Sequence, residues 1–309
     1  MISGEHSSIT QENLNIDLPV LPHTFLLAMG LSRQADHITI EEVVEVIEND
    51  PGAVARVLRV VNSAYYGLRN EVTSLHRAVV GLGPQAVLGL VMSVSLEDMK
   101  KHLHVTTSDV FNKLIRHNVA VGYLARQMAS MTCLARDTVD NENGFLSEAF
   151  TLGLLHDFGK IVLFYNFPEE AVSFYERGWD IDTDAQIILK EEKEIFGIDH
   201  VEAGTYLMHE LNFLSSMEMA VAAHHNFMKE AERDEGEQFL LNIVVASNKL
   251  ANTVGFAFNR SISRKAFIEA PFWDDLIESQ FFEETDKEIL FKDLFDLKER
   301  ASAYVSEIA

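Results

Sequence analysis

Apolar residues in this chain recur at intervals of three and four, the period of a helix with one buried face. Thr39 and Glu42 have the spacing of a capping box, and Val43, Val46 and Ile47 follow at that period. Asp50-Pro51 is a second start, because Asp caps well and Pro is tolerated at the first helical position. Val54, Val57, Leu58 and Val61 carry this helix to a stop near Asn62-Ser63. Gly83-Pro84 ends one helix and opens another through Leu88, Val91, Met92 and Ser95. A second block contains a helix over 114–128, a linker over 136–144 rich in Asp and Asn, and a helix over 147–162. Later helices begin near Asp199 (with Glu202 at capping spacing), near Ser215 and near Phe239, and a long last one is capped by Thr285 and Glu288. Strand punctuation is nearly absent, with 6 Pro and 16 Gly and no hairpin clusters. The pattern predicts an all-α protein. It divides into a polar tail (1–16), an N-terminal helical bundle (17–108), a second helical subdomain (109–254) and an acidic helical C-terminal extension (255–309).

Two local patterns refine this picture. Tyr65-Tyr66-Gly67, just past Asn62-Ser63, reads as a helix end whose Gly supplies a positive φ. The aromatics there are expected to close the interface between the two helical blocks. In the last helix Leu290, Leu294, Leu297, Ala301, Tyr304 and Ile308 recur at alternating spacings of four and three, a narrow seam of the coiled-coil kind. The seam is too short for a free coiled coil. It is read as packing against the chain's own second block, with a dimer seam as the alternative, so the chain is a monomer or a homodimer.

Composition narrows the class. Hydrophobic residues make up 47% of the 309 positions, enough for a sizeable core and incompatible with a wholly disordered chain. The 48 Asp and Glu outnumber 25 Lys and Arg, giving a net charge of −23. Such a body repels nucleic acid and anionic membrane unless its basic residues are gathered together, and they are not. No nucleic-acid partner is expected. Cys133 is the only cysteine, so no intramolecular disulfide can form. The first residues lack a basic region followed by an apolar run, and the longest apolar stretch, 86–96, is shorter than the roughly 18–20 residues that cross a bilayer. A cytoplasmic protein with no membrane association is the expectation.

Chemistry concentrates in the histidines. Seven of the twelve (His6, His23, His37, His76, His102, His104 and His209) read as ordinary surface or core residues. The other five stand apart. His117 lies inside an apolar helix, and His156-Asp157 sits within a strongly apolar segment. His200 opens a helix, and His224-His225 closes another apolar run. A buried His-Asp needs a partner, either a metal ion or a hydrogen-bonded network. Imidazole suits Zn, Fe, Ni or Cu, and a carboxylate shifts the balance toward Fe or Mn. Lys160, three residues after Asp157, can steady a phosphate oxygen or pair locally with Asp157.

Several phrases in order carry a resemblance. Leu21-Pro22, Asp50-Pro51, the run Arg59-Val60-Val61-Asn62-Ser63-Ala64-Tyr65-Tyr66-Gly67, Val72-Thr73-Ser74-Leu75 and Ala78-Val79-Val80-Gly81-Leu82-Gly83 resemble the amino-terminal half of the HDOD family. Gly153-Leu154-Leu155-His156-Asp157-Phe158-Gly159-Lys160 resembles its central signature. His200-Val201-Glu202-Ala203-Gly204 and His224-His225 then follow in the order seen in HDOD proteins and their HD-GYP relatives. The resemblance spans 17–254 and implies an HD-type helical subdomain over 109–254. It also implies a site of one or two ions (Fe, Mn, Ni or Zn). One ion would use His117, His156, Asp157 and a distant Asp, and the other Asp157, His200, His224 and His225. Asn248 stands where the distant Asp is expected, and Asn226 to Lys229 replace the Gly-Tyr-Pro element of cyclic-di-GMP phosphodiesterases.

The resemblance implies two functions. In the favoured one the chain is a bacterial signalling module that binds a protein partner or a nucleotide-like ligand, with a degraded HD site that holds metal most firmly on the Asp157, His200, His224, His225 side. In the other it is a metal-dependent phosphohydrolase, with Lys160 contacting phosphate. The acidic surface suits a partner protein with a basic face.

Overall fold

A computed structural model describes residues 9–11, 14–34, 38–99, 109–136, 142–179, 183–225, 235–256 and 287–308. The expected caps form. Thr39 and Glu42 close a capping box on α2 (Ile40–Glu48), and the Asp50 side chain accepts from Ala53 N at the start of α3 (Pro51–Val61). Gly83, at φ 87°, separates α4 (Leu75–Leu82) from α5 (Pro84–Asp98). With α1 (His23–Ser32) these helices make the first block, whose core holds Phe25, Ile47, Val57, Val60 and Leu88. No single helix among the described residues is long and apolar enough to cross a membrane. The apolar α5 is buried along most of its length in this core.

The polar tail contains a short antiparallel hairpin, β1 (Ile9–Gln11) with β2 (Leu14–Ile16), Ile9 opposite Ile16. The sequence reading had no structure there. The hairpin ends on a fully buried Ile16, and Asn166 then grips Asp17, accepting from its N and donating to its O at 2.8 Å each. The chain from 14 onward is thus pinned to the second block.

That block comprises α6 (Asp109–Arg136), α7 (Glu142–Leu155), α8 (Phe158–Asn166), α9 (Pro168–Glu176), α10 (Ala185–Phe196), α11 (His200–Glu210), α12 (Ser215–Ala223) and α13 (Glu235–Val254). The single helix expected over 147–162 is two, broken at His156-Asp157. Two crossings bring these helices unusually close, and glycine permits both. A Cβ on Gly122 of α6 would lie 2.9 Å from Phe150 O, and one on Gly153 of α7 would lie 2.8 Å from Val121 O. A Cβ on Gly159 of α8 would lie 1.6 Å from the backbone oxygen of His200 at the start of α11.

The last helix, α14 (Lys287–Ile308), packs on α6 and also reaches α3 and α5. Leu297, Ala301, Tyr304 and Ile308 of the seam are buried in the chain itself, while the side chains of Leu290 and Leu294 and the expected cap at Thr285 lie outside the described residues. Tyr304 stacks on Tyr123 at 5.0 Å and meets Tyr65 edge-on at 5.4 Å, and Tyr65 and Tyr123 share a hydroxyl hydrogen bond of 3.0 Å. The aromatic loop after α3 therefore closes the interface between the blocks, as its sequence indicates, with the last helix as a third partner. Asn62 holds the loop in shape, donating to Val72 O and accepting from Val72 N.

Candidate metal centre

Each of the five singled-out histidines arrives on a different structural device. His117 projects from the middle of α6. His156 and Asp157 occupy the break between α7 and α8, and Asp157 takes the cap position of α8 without using its side chain to cap it. His200 is the first residue of α11, whose cap is supplied by Asp199 with Glu202. His224 ends α12 and His225 follows it. The α8–α11 crossing at Gly159 sets the distance between the His-Asp pair and His200.

Four of them converge on one carboxylate. His117 Nε2 and His156 Nε2 lie 3.6 and 3.5 Å from Asp157 Oδ2, while His200 Nε2 and His224 Nε2 lie 3.5 and 3.3 Å from Oδ1. His225 Nε2 is 2.9 Å from His200 Nε2. Two trios, His117-His156-Asp157 and His200-His224-His225, each bring three donor atoms within 4.8 Å of one another, a spacing that could hold a metal ion. Asp157 and four of the histidines are buried, and only His225 is partly exposed, so it marks the mouth.

Lys160 places its ammonium 2.6 Å from Asp157 Oδ2, so the local pairing is realised. Asn248, buried on α13, accepts from Asn252 Nδ2 at 2.9 Å through its side-chain oxygen. The amide oxygen that stands in for a carboxylate is thus already engaged.

Hydrogen bonds fix the tautomers. The Nδ1 atoms of His117, His156 and His224 face the backbone oxygens of Phe256, Gly153 and Val221 at 3.0, 2.7 and 2.7 Å. His200 Nδ1 faces Glu192 Oε2 at 2.6 Å. Carbonyls and carboxylates only accept, so each Nδ1 carries the proton and, in the neutral ring, each Nε2 presents a lone pair inward. His117 Nε2 and His156 Nε2 then meet at 3.2 Å, and His200 Nε2 and His224 Nε2 at 3.4 Å, with no hydrogen between them. Asp157 Oδ1 has no hydrogen-bond partner.

Burial keeps His117, His156, His224 and His225 neutral. Burial pushes His117 down to about 4, His156 and His225 well below the ordinary imidazole value, and His224 down as well, although Asp157 pulls each of them back. Burial alone would raise the Asp157 carboxyl, but Lys160 and His156 outweigh it and hold it well below the usual range. Glu192 behaves alike: burial raises it, while His200, Lys160 and Tyr175 bring it below its ordinary value. Converging imidazole lone pairs and an orphaned carboxylate oxygen fit a metal ion of the kind that prefers nitrogen with some oxygen.

A pH dependence follows for the metal-free protein. Its folded His117 titrates near 4 against an ordinary value of 6.5, so between these values the unfolded chain binds the extra proton. The stability due to this group is complete above pH 6.5, falls as pH drops below it and levels off near 4. Denaturant unfolding of chelator-treated protein at pH 7.5, 6 and 5 should show a decline to which His156, His224 and His225 add in the same direction, and His117→Gln should make it shallower without removing it.

Sequence reasoning missed Glu192, Tyr175 and the Phe256 carbonyl. Glu192 lies in a run of Glu and Lys on a largely solvent-facing helix and has no local mark. The Phe256 oxygen lies beyond the expected boundary at 254, so the start of the C-terminal extension helps build the site.

An all-helical body in which His, His-Asp, His and His-His gather at one buried point defines a domain of the HD type. The chain belongs to the HDOD domain family, whose sequence profile matches residues 18–227. Over 210 residues it is 22% identical to an uncharacterised protein of Treponema pallidum (strain Nichols), covering 68% of this chain and only 38% of the length of that protein. Its fold is similar to an HDOD domain protein of unknown function from Geobacter sulfurreducens, with a TM-score of 0.70 at 20% identity over 95% of this chain and 94% of the other. It is also similar to a "Putative phosphohydrolase" from Shewanella amazonensis SB2B, with a TM-score of 0.64 at 20% identity over 94% and 95% of the two chains. At these identities the likeness shows the fold alone.

Proposed function

We propose that this chain is a bacterial signalling module that docks a protein partner and keeps its HD-type site as a metal-binding chamber rather than a turnover site. The observation that carries the metal part is the inward convergence of four tautomer-fixed imidazoles on Asp157 Oδ1 and Oδ2. Asp157, His200, His224 and His225 would hold the more secure ion, because Oδ1 has no other partner while Oδ2 carries Lys160. His117 and His156 would complete the second position, which lacks the carboxylate at Asn248. Fe, Mn, Ni and Zn all suit the donor set.

Three features favour regulation over hydrolysis. Asn248 offers no negative charge, Lys160 is committed to Asp157, and the donors are nearly closed to solvent. The acidic surface, net −23, suits a partner with a basic face. The second reading, a metal-dependent phosphohydrolase, is favoured by the retention of five His and one Asp at one point. In that reading the bound metal would activate water for attack on a phosphorus centre, with Lys160 released to the phosphate.

Elemental analysis of freshly purified protein is the primary test, with at least one transition metal ion per chain expected. Fe, Mn, Ni and Zn all at background would sink the metal-chamber reading. Metal-loaded protein should show no turnover of bis(p-nitrophenyl) phosphate. Turnover abolished by Asp157→Ala would establish the hydrolase instead, and activity gained only in Asn248→Asp would trace the loss to that position.

A further inference from the structure

The most unusual buried group outside the ligand set is Glu192. It is fully buried, and it is a carboxylate on a helix whose only other buried side chain is Phe196. Oε1 accepts from the Tyr175 hydroxyl at 2.7 Å, while Oε2 accepts from both His200 N at 2.8 Å and His200 Nδ1 at 2.6 Å. Capping does not require it, because Asp199 already caps α11. Burying a carboxylate is costly, and a well-packed apolar side chain in its place is often neutral or stabilising. The other fixed histidines rest on neutral backbone carbonyls. His200 alone rests on a charge.

We infer that Glu192 is a positioning residue for the metal site, holding His200 with Nε2 turned inward and making that imidazole a stronger donor, with Tyr175 fixing Glu192 in turn. This rests on the metal-binding reading above. A carboxylate behind an imidazole ligand raises its basicity and locks its orientation, and losing such an outer partner typically weakens metal binding about 10–100-fold. Glu192→Gln separates charge from shape. A Gln oxygen at the Oε2 position keeps both bonds to His200, and its amide faces Tyr175, whose hydroxyl can accept as well as donate.

The test uses the full chain and Co2+ as probe, with affinity measured by chelator competition and the visible absorption of the bound ion as a second readout. Glu192→Gln should bind Co2+ about 10–100-fold more weakly with a shifted visible band. Tyr175→Phe, which removes one hydroxyl and no charge, should lose less. In a His200→Ala background Glu192→Gln should cause no further loss, since its effect passes through that ring. Equal affinity and an unchanged band in Glu192→Gln would overturn the inference, as would the same loss with His200 absent. If Glu192→Gln does not fold, Tyr175→Phe decides alone: an affinity and band identical to the parent protein reject the chain of contacts. A parent protein that binds no Co2+ rejects the metal reading itself, an outcome distinct from the others.

Discussion

Replacing Gly159 by alanine is expected to part α8 from α11 and abolish metal binding. The new Cβ would sit 1.6 Å from the backbone oxygen of His200, with Gly204 N at 2.7 Å behind it. Neither is the tip of a flexible side chain, so whole helices must move. Overpacking a well-filled core costs about 1–3 kcal/mol, and a backbone clash this deep belongs above that range. The movement also carries His200 away from Asp157, so metal affinity falls together with the denaturation midpoint. Gly30→Ala is the control. It lies inside α1 with nothing within 4 Å of the added methyl, and it should gain roughly 0.5–1 kcal/mol from helix propensity. A Gly159→Ala protein with parental stability and metal content would show that the crossing is looser than its geometry.

Removing Asp157 has the second large effect, and it splits into two measurable parts. The carboxylate is the one group within 3.6 Å of histidines from both trios, so Asp157→Asn should lower metal affinity by more than about a hundredfold, beyond the range typical of an outer-shell change. It also removes the negative charge that Lys160 meets at 2.6 Å, in a site where the Lys160 side chain is only 13% exposed. Breaking one side of a buried pair costs about 3–5 kcal/mol, and the partial exposure of Lys160 argues for the lower end. Adding Lys160→Met should recover part of that stability, because the buried ammonium goes with the carboxylate that faced it, and should recover none of the affinity. Titration by calorimetry and denaturant unfolding of the two variants separate these parts. Stability and affinity restored together would mean that Asp157 serves the fold rather than the ion.

Local chemistry was legible along the chain wherever a short stretch carries its own physical reason. Thr39 with Glu42, Asp50 before Pro51 and Asp199 with Glu202 mark helix starts because a cap and the donor it satisfies lie within four residues of each other, and Gly83 before Pro84 marks one because Pro suits the first helical position. The tyrosines before Gly67 were recognisable as an interface for the same reason: large aromatics stranded at a helix end need something to cover them. The break at His156-Asp157 was not legible, because the apolar pattern continues straight across it. Only the packing of α8 beneath α11 shows why one helix must become two.

The sequence by itself determined the helical class, the caps and the five histidines with Asp157 that deserved suspicion, since each depends on side-chain type and near neighbours. The tertiary structure alone decided that Nε2 atoms from three helices and one break face a single carboxylate, that Lys160 pairs with Asp157, and that Glu192 stands behind His200. Those outcomes turn on helix crossings between residues far apart in the chain. A glycine's missing methyl sets such a distance, and no local pattern records it.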